Sequence, residues 1–173
     1  MTTGASGPVV LDTGPLLAWL VLRYLNQCGA PKSTRDAFMT ALKLREGPLA
    51  ETEQDYFLQK VGRHSPILTT TYSAAEVIRL RDYSLLKSEK PFFGFRHDVL
   101  SGGAITEYPC TLETLRAAGF WDLVLNHGAA DASLAWLASY MRCTLVTDEG
   151  RFFAMFSTGT AFKVSGLRRW IEN

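Results

Sequence analysis

The 173-residue chain has no excess of charge of either sign: 18 basic residues stand against 17 acidic ones, a formal net charge of +1. No bulk field marks a nucleic-acid binder, so any phosphate contact has to be built locally. Cysteine is scarce. Cys28, Cys110 and Cys143 are an odd number with no CxxC pair, unlike a disulfide framework or a zinc cluster and in keeping with a reducing compartment. Long hydrophobic runs are missing too. The longest, Leu16–Leu22, falls far short of the ~20 residues of a membrane span. Met1–Pro8 has neither the positive charge nor the apolar stretch of a secretory signal, so no membrane contact and a cytoplasmic location are expected. Internal repeats and low-complexity tracts are absent from the sequence.

What is present is ordinary globular material, 47% hydrophobic and 20% charged, at a length that suits one domain. Val9-Val10-Leu11 is a short buried-type strand that ends at Asp12-Thr13-Gly14-Pro15, with Pro15 suited to the first position of a helix. The apolar run behind it has the look of a buried helix. Residues 33–61 carry two further helices, the first capped by Ser33 with Asp36, the second running from Glu51 to Gly62. Ile67–Tyr72 is extended, and Ser73-Ala74-Ala75-Glu76 opens a helix that runs to about Leu86. Lys90–Gly103, with Pro91, Gly94, Gly102 and Gly103, reads as a loop or linker. Ala104–Cys110 is a strand, Leu112–Leu125 a helix interrupted near Gly119, and Asp131–Met141 an amphipathic helix. Thr144–Thr147 and Ala161–Val164 are the last strands. Such alternation predicts an α/β fold with a mainly parallel sheet.

Four carboxylates fall at telling places on these elements. Asp12 and Asp148 each terminate a predicted strand at its carboxyl end, the edge where open α/β sheets bind ligands. Glu76 and Asp131 each sit in the first turn of a predicted helix, and helices that follow parallel strands begin at that same edge. Each has a bland alternative: a capping box Ser73-x-x-Glu76, a helix cap at Asp131, and turn residues at Asp12 and Asp148. Four acids at one edge, however, repel one another unless their pKa values rise or a cation neutralises them. An all-oxygen donor set suits Mg²⁺ or Mn²⁺, and such a site serves in-line phosphoryl displacement.

The segments around these acids carry a family resemblance. Val9-Val10-Leu11-Asp12-Thr13-Gly14-Pro15-Leu16-Leu17 resembles the opening motif of PIN-domain nucleases, and Thr69–Val77 is similar to their central acidic helix. Gly128–Leu134 resembles the third motif and Thr144–Phe152 the fourth, in the same order, over roughly half the chain. The resemblance implies a three-layer α/β/α PIN-like domain and Mg²⁺- or Mn²⁺-dependent cleavage of single-stranded RNA, leaving a 5′-phosphate and a 3′-hydroxyl. It carries over Asp12, Glu76, Asp131 and Asp148 as catalytic, metal-binding acids, with Thr147 as a lesser candidate. Small bacterial members resemble VapC-type toxins, which implies a toxin role, an antitoxin protein partner and a homodimer. A housekeeping RNA-processing nuclease and a non-cleaving PIN-like RNA- or protein-binding domain are the alternatives. Two features depart from the toxin pattern. A helical stretch at about 28–66 lengthens the chain, and it would cover the site, build a dimer surface or enlarge the core. Glu149-Gly150 replaces a tighter turn, so Glu149 would substitute for Asp148 or assist it.

Other motifs are weaker. Asp12-Thr13-Gly14 matches the aspartic-protease triplet, but that chemistry needs two such aspartates in a β-rich fold. His64, His97 and His127 lack metal-ligand spacing, and only His127, four residues before Asp131, invites a test. Lys87, Lys90 and Arg96 around Phe92, Phe93 and Phe95 would suit base stacking with phosphate contacts, or simple packing. Arg79 and Arg81 follow Glu76, where Arg79 would orient a phosphate or make a salt bridge. Lys163, Arg168 and Arg169 beside Trp170 would dock RNA or form a solvated face.

Overall fold

A computed structural model describes residues 6–79, 90–156 and 162–173. The protein is α/β, with one five-stranded sheet whose pairings are all parallel. The strands are β1 (Val9–Leu11), β2 (Ile67–Thr70), β3 (Ile105–Tyr108), β4 (Thr144–Thr147) and β5 (Lys163–Gly166), in the spatial order 3-2-1-4-5. The order reverses between β1 and β4, and the carboxyl ends at such a reversal are where open α/β sheets bind ligands.

Alternation along the strands divides the core into two. Val9 and Leu11 of β1 and Val146 of β4 face one layer, while Val10 and Leu145 face the other. The first layer is α1 (Thr13–Gln27), α2 (Lys32–Ala41), α3 (Glu51–Gly62), α4 (Thr71–Arg79), α5 (Lys90–Ser101) and α10 (Leu167–Glu172). The second is α6 (Leu112–Ala117), α7 (Trp121–His127), α8 (Ala129–Met141) and α9 (Gly150–Phe156). The result is a three-layer α/β/α arrangement. Among the described residues no helix is long and apolar enough to cross a membrane.

Several elements differ from the sequence expectation. Lys90–Gly103 is not a loop: Phe92, Arg96 and Val99 share a buried helical face on α5, Pro91 sits in the first turn, and Gly94 faces solvent. Phe92 and Phe95 flank Tyr24 at ring distances of 5.4 and 5.5 Å, and buried Arg96 donates to the Val77 carbonyl at 3.1 Å. The described part of that aromatic cluster therefore packs; Lys87 and the side chains of Lys90 and Phe93 lie outside what is described. Helix α4 begins at Thr71, directly off β2, because Thr70 Oγ1 accepts from the Ser73 amide at 3.4 Å. Ser73 is thus inside the helix and no capping box joins it to Glu76. The continuation towards Leu86, with Arg81 and the Arg79 side chain, lies outside the described residues. Helix α2 starts after Pro31 with no side-chain cap, since Asp36 instead meets Lys32 and Gln54. Pro15 is the third residue of α1, and the last strand runs Lys163–Gly166, with Ala161 not described.

The 28–66 stretch supplies core. Phe38, Met39, Leu42, Leu44, Leu49, Phe57 and Val61 are buried with α1 and α10. Arg168 binds the α2–α3 connection to α10. Its side chain donates to the Glu46 carbonyl (3.1 Å), Glu53 Oε1 (2.7 Å) and the Pro48 carbonyl (2.8 Å), and its backbone amide donates to Glu46 Oε2 (3.0 Å). Its donors are thereby committed within the fold, and Trp170 is buried against Phe57 and His64. Arg168 is in that respect a structural joint, while Lys163 and Arg169 are exposed.

Candidate active site at the carboxyl edge of the sheet

Leu11 pairs with Val146 in register, so the residues that follow them, Asp12 and Thr147, stand side by side at the carboxyl ends of β1 and β4. Asp12 is the N-cap of α1: its Oδ1 accepts from the Thr13 amide at 2.6 Å and its Oδ2 from Thr147 Oγ1 at 2.7 Å. Thr147 Oγ1 in turn accepts from the Glu149 amide at 3.0 Å. Asp12 is thus a helix cap, not the turn residue of the bland alternative, and a lone pair is left on each of its oxygens.

Asp148 closes β4. Its Oδ2 accepts from the Arg45 backbone amide at 3.0 Å, and its carboxyl lies against Gly14 so closely that an added Cβ would sit 2.4 Å from Oδ1. Gly14 is thus required by the carboxylate and not by its own backbone angles. Asp131 lies in the first turn of α8, where the helix dipole favours an anion. That helix leaves α7 through Gly128 at φ 97°, and Ser133 Oγ meets Thr70 Oγ1 at 2.6 Å, pinning α8 to the end of β2. Glu76 differs from expectation: it is in the second turn of α4 and exposed. Thr13 Oγ1 donates to its Oε2 at 2.9 Å and meets Ser73 Oγ at 3.1 Å, which draws α4 to the start of α1.

Electrostatics join the four acids. Burial pushes the Asp12 carboxyl up from 3.8 to about 7, against the hydrogen bond from Thr147, with Asp131 and Asp148 adding to the rise. Asp131 is raised too, by burial and then by Glu76, while Arg151, His127 and Arg45 oppose the shift. The fields of Asp131 and Asp148 therefore reach Asp12, and that of Glu76 reaches Asp131. Among the described residues, no group of three or more His, Cys, Asp and Glu side chains is assembled as a metal-holding set.

Two of the participants, Arg45 and Arg151, are not singled out by the sequence, and Glu149, expected to substitute for Asp148 or assist it, is engaged by both. Buried Glu149 pairs with Arg45 Nη1 at 3.3 Å and with Arg151 Nε. Arg45 comes from the α2–α3 connection, far from any acidic motif; the one available signal was that the stretch had no assigned role. Of the histidines, His97 is exposed beside Asp98, and His64 Nδ1 meets the Gly7 carbonyl at 2.8 Å. His127 lies within the field of Asp131, with a buried Nδ1 that has no hydrogen-bond partner among the described residues. The single Asp-Thr-Gly triplet sits in a parallel α/β sheet, which excludes the aspartic-protease geometry within the chain. Compared with known proteins, the chain matches no protein-family model and no curated protein.

Proposed function

We propose that this protein is a divalent-metal-dependent endoribonuclease of the PIN-like type, hydrolysing phosphodiester bonds of single-stranded RNA. The observation that carries the reading is that Asp12 and Asp148 follow adjacent strands where the strand order reverses, with the charges of Asp131 and Asp148 acting on Asp12 and that of Glu76 on Asp131. Three of the four carboxylates make structural hydrogen bonds, but those bonds leave the repulsion among the acids, which costs stability unless a cation offsets it. The donor chemistry fits Mg²⁺ or Mn²⁺: every side chain in question offers oxygen, and Asp12 is already oriented through both of its oxygens. When bound, such an ion supplies Lewis-acid activation of water and neutralisation of charge on the phosphate.

The chain's own residues have separable tasks. Asp12 and Asp148 form the floor, fixed by the Thr147 hydroxyl and the Arg45 amide. Asp131 and Glu76 approach from α8 and α4, with Thr13 holding Glu76 in place. Binding of a cation by Asp12 requires loss of its proton, so activity should rise through neutral pH. Preference for RNA and the toxin role rest on the motif resemblance alone. The test is incubation of purified protein with labelled single-stranded RNA and DNA of one sequence, with Mn²⁺, Mg²⁺ or EDTA, beside Asp12→Asn. Metal-dependent RNA cleavage lost in the variant supports the reading; metal-independent cleavage, or cleavage retained in the variant, refutes it. Copurification of a small partner protein with the chain tests the toxin role.

A further inference from the structure

A site lined by four carboxylates repels the phosphodiester it is meant to cut, so a nuclease of this kind needs cations beside the acids as well as among them. We infer that Arg45, acting with Arg151, binds a backbone phosphate of the RNA strand, and that the α2–α3 connection exists in part to deliver it. This rests on the nuclease reading above and assigns the substrate contact at that same site.

Three observations support it. First, Glu149 is one carboxylate set between two guanidinium groups, so the cluster keeps a net positive charge. The side chains of Arg45 and Arg151 are 61% and 56% exposed, whereas that of Glu149 is 11% exposed. The anion is enclosed and the cations face outwards. Only Nη1 of the Arg45 side chain is engaged, which leaves Nε and Nη2 free among the described residues for a planar fork onto phosphate oxygens. Second, the same pair lies at the acids: the Arg45 amide donates to Asp148 at 3.0 Å, and the charges of Arg45 and Arg151 both reach Asp131. A phosphate held by the fork would lie next to the carboxylate floor.

Third, Arg45 is carried by a segment whose shape is over-determined. Leu44 before it is buried in the core, and Glu46 after it accepts from the Arg168 amide at the start of α10. Arg168 then grips Glu46, Pro48 and Glu53. Lys43 holds φ at +50°, a left-handed conformation that a lysine adopts only when its surroundings impose it. A connection that merely joined two helices would need none of this. The backbone that carries Arg45 is thus held in place, so only side-chain freedom is lost when the guanidinium meets a ligand.

Steady-state cleavage of single-stranded RNA by the wild type, Arg45→Ala and Arg45→Lys tests the assignment, with Mn²⁺ affinity measured by calorimetry on each. Truncating the side chain leaves the amide bond to Asp148 and the Arg151–Glu149 pair in place. Arg45→Ala should raise KM about tenfold, the effect of losing one bond between charged groups. It should also make the salt dependence of kcat/KM shallower by about 0.7 in the log–log slope, one phosphate contact on a single strand. Arg45→Lys, which keeps the charge and loses the fork, should fall between. Mn²⁺ affinity should stay within about twofold of wild type, a readout that a purely structural role would move. An unchanged KM and salt slope in Arg45→Ala, or loss of Mn²⁺ binding together with activity, overturns the inference while leaving the nuclease reading intact. A wild type that cleaves no RNA overturns both.

Discussion

Without divalent ions, Asp12 keeps its proton to about pH 7, compared with an ordinary value of 3.8, chiefly because it is buried. Between those values the folded chain holds a proton that the unfolded chain has released. Stability therefore falls as pH rises, by roughly 1.4 kcal/mol per unit. Across that window the loss is about 4 kcal/mol, fully absent below the unfolded value and fully present above the folded one. Asp131 is raised as well and adds a slope of the same sign. Asp12→Asn removes the titration. Its amide oxygen can still accept from the Thr13 amide, and its NH₂ meets Thr147 Oγ1 in place of the present Thr147 donation. Reversing that bond costs about 1 kcal/mol. In EDTA, the variant should be about 3 kcal/mol more stable than wild type at pH 8 and no more stable at pH 4. Urea unfolding from pH 4 to 8 measures both chains, and their difference cancels the carboxylates that are not coupled to Asp12. Equal pH slopes, or a variant less stable than wild type at pH 8, would refute the assignment of a strained, cation-seeking carboxyl to Asp12.

Gly14→Ala places a methyl group against the Asp148 carboxyl, within 3 Å of three of its atoms, and should cost about 1–3 kcal/mol and abolish cleavage; thermal melts and the RNA assay check this. Thr147→Val removes the hydrogen bond that holds the Asp12 pKa down. Its Mn²⁺ affinity should therefore fall furthest below wild type at pH values under the Asp12 pKa of about 7 and should approach wild type at alkaline pH, as read by calorimetry. Arg168→Ala loses three side-chain bonds that anchor the α2–α3 connection. About 2 kcal/mol of stability should go with them, measured by urea unfolding. Phe92→Ala, deep in the first core layer, should cost about 3–5 kcal/mol.

The sheet and the acids were legible in the sequence for a simple reason. Val9–Leu11 and Thr144–Thr147 are short apolar strands closed by an aspartate, and a strand followed by a helix places its last residue at the ligand-binding edge. Asp12, Asp131 and Asp148 could thus be placed from local pattern. For Glu76 the sequence predicts the first turn of its helix, and the structure has it in the second. The Ser73–Glu76 spacing imitates a capping box, but Thr70 supplies the cap and the helix starts two residues earlier. Lys90–Ser101 was lost because Pro91 and Gly94 mimic loop punctuation, while the buried face of Phe92, Arg96 and Val99 depends on Tyr24 and α1 to receive it. Arg168 and Arg45 illustrate the general limit. Two basic residues look alike in sequence; one is engaged by carbonyls and a carboxylate across more than a hundred positions, and the backbone of the other reaches a carboxylate equally far away. Such long-range pairings have no period and no local signature.

The proposed nuclease requires Asp12, Glu76, Asp131 and Asp148 to act as one cation site. Mn²⁺ titration by calorimetry at pH 8 tests it without any assumption about the RNA target. The account predicts binding by wild type and at least about tenfold weaker binding in each of Asp12→Asn, Glu76→Gln, Asp131→Asn and Asp148→Asn. Glu149→Gln, whose carboxylate is committed to Arg45 and Arg151, should bind like wild type. No Mn²⁺ binding by wild type, or equal binding by all five variants, would contradict it.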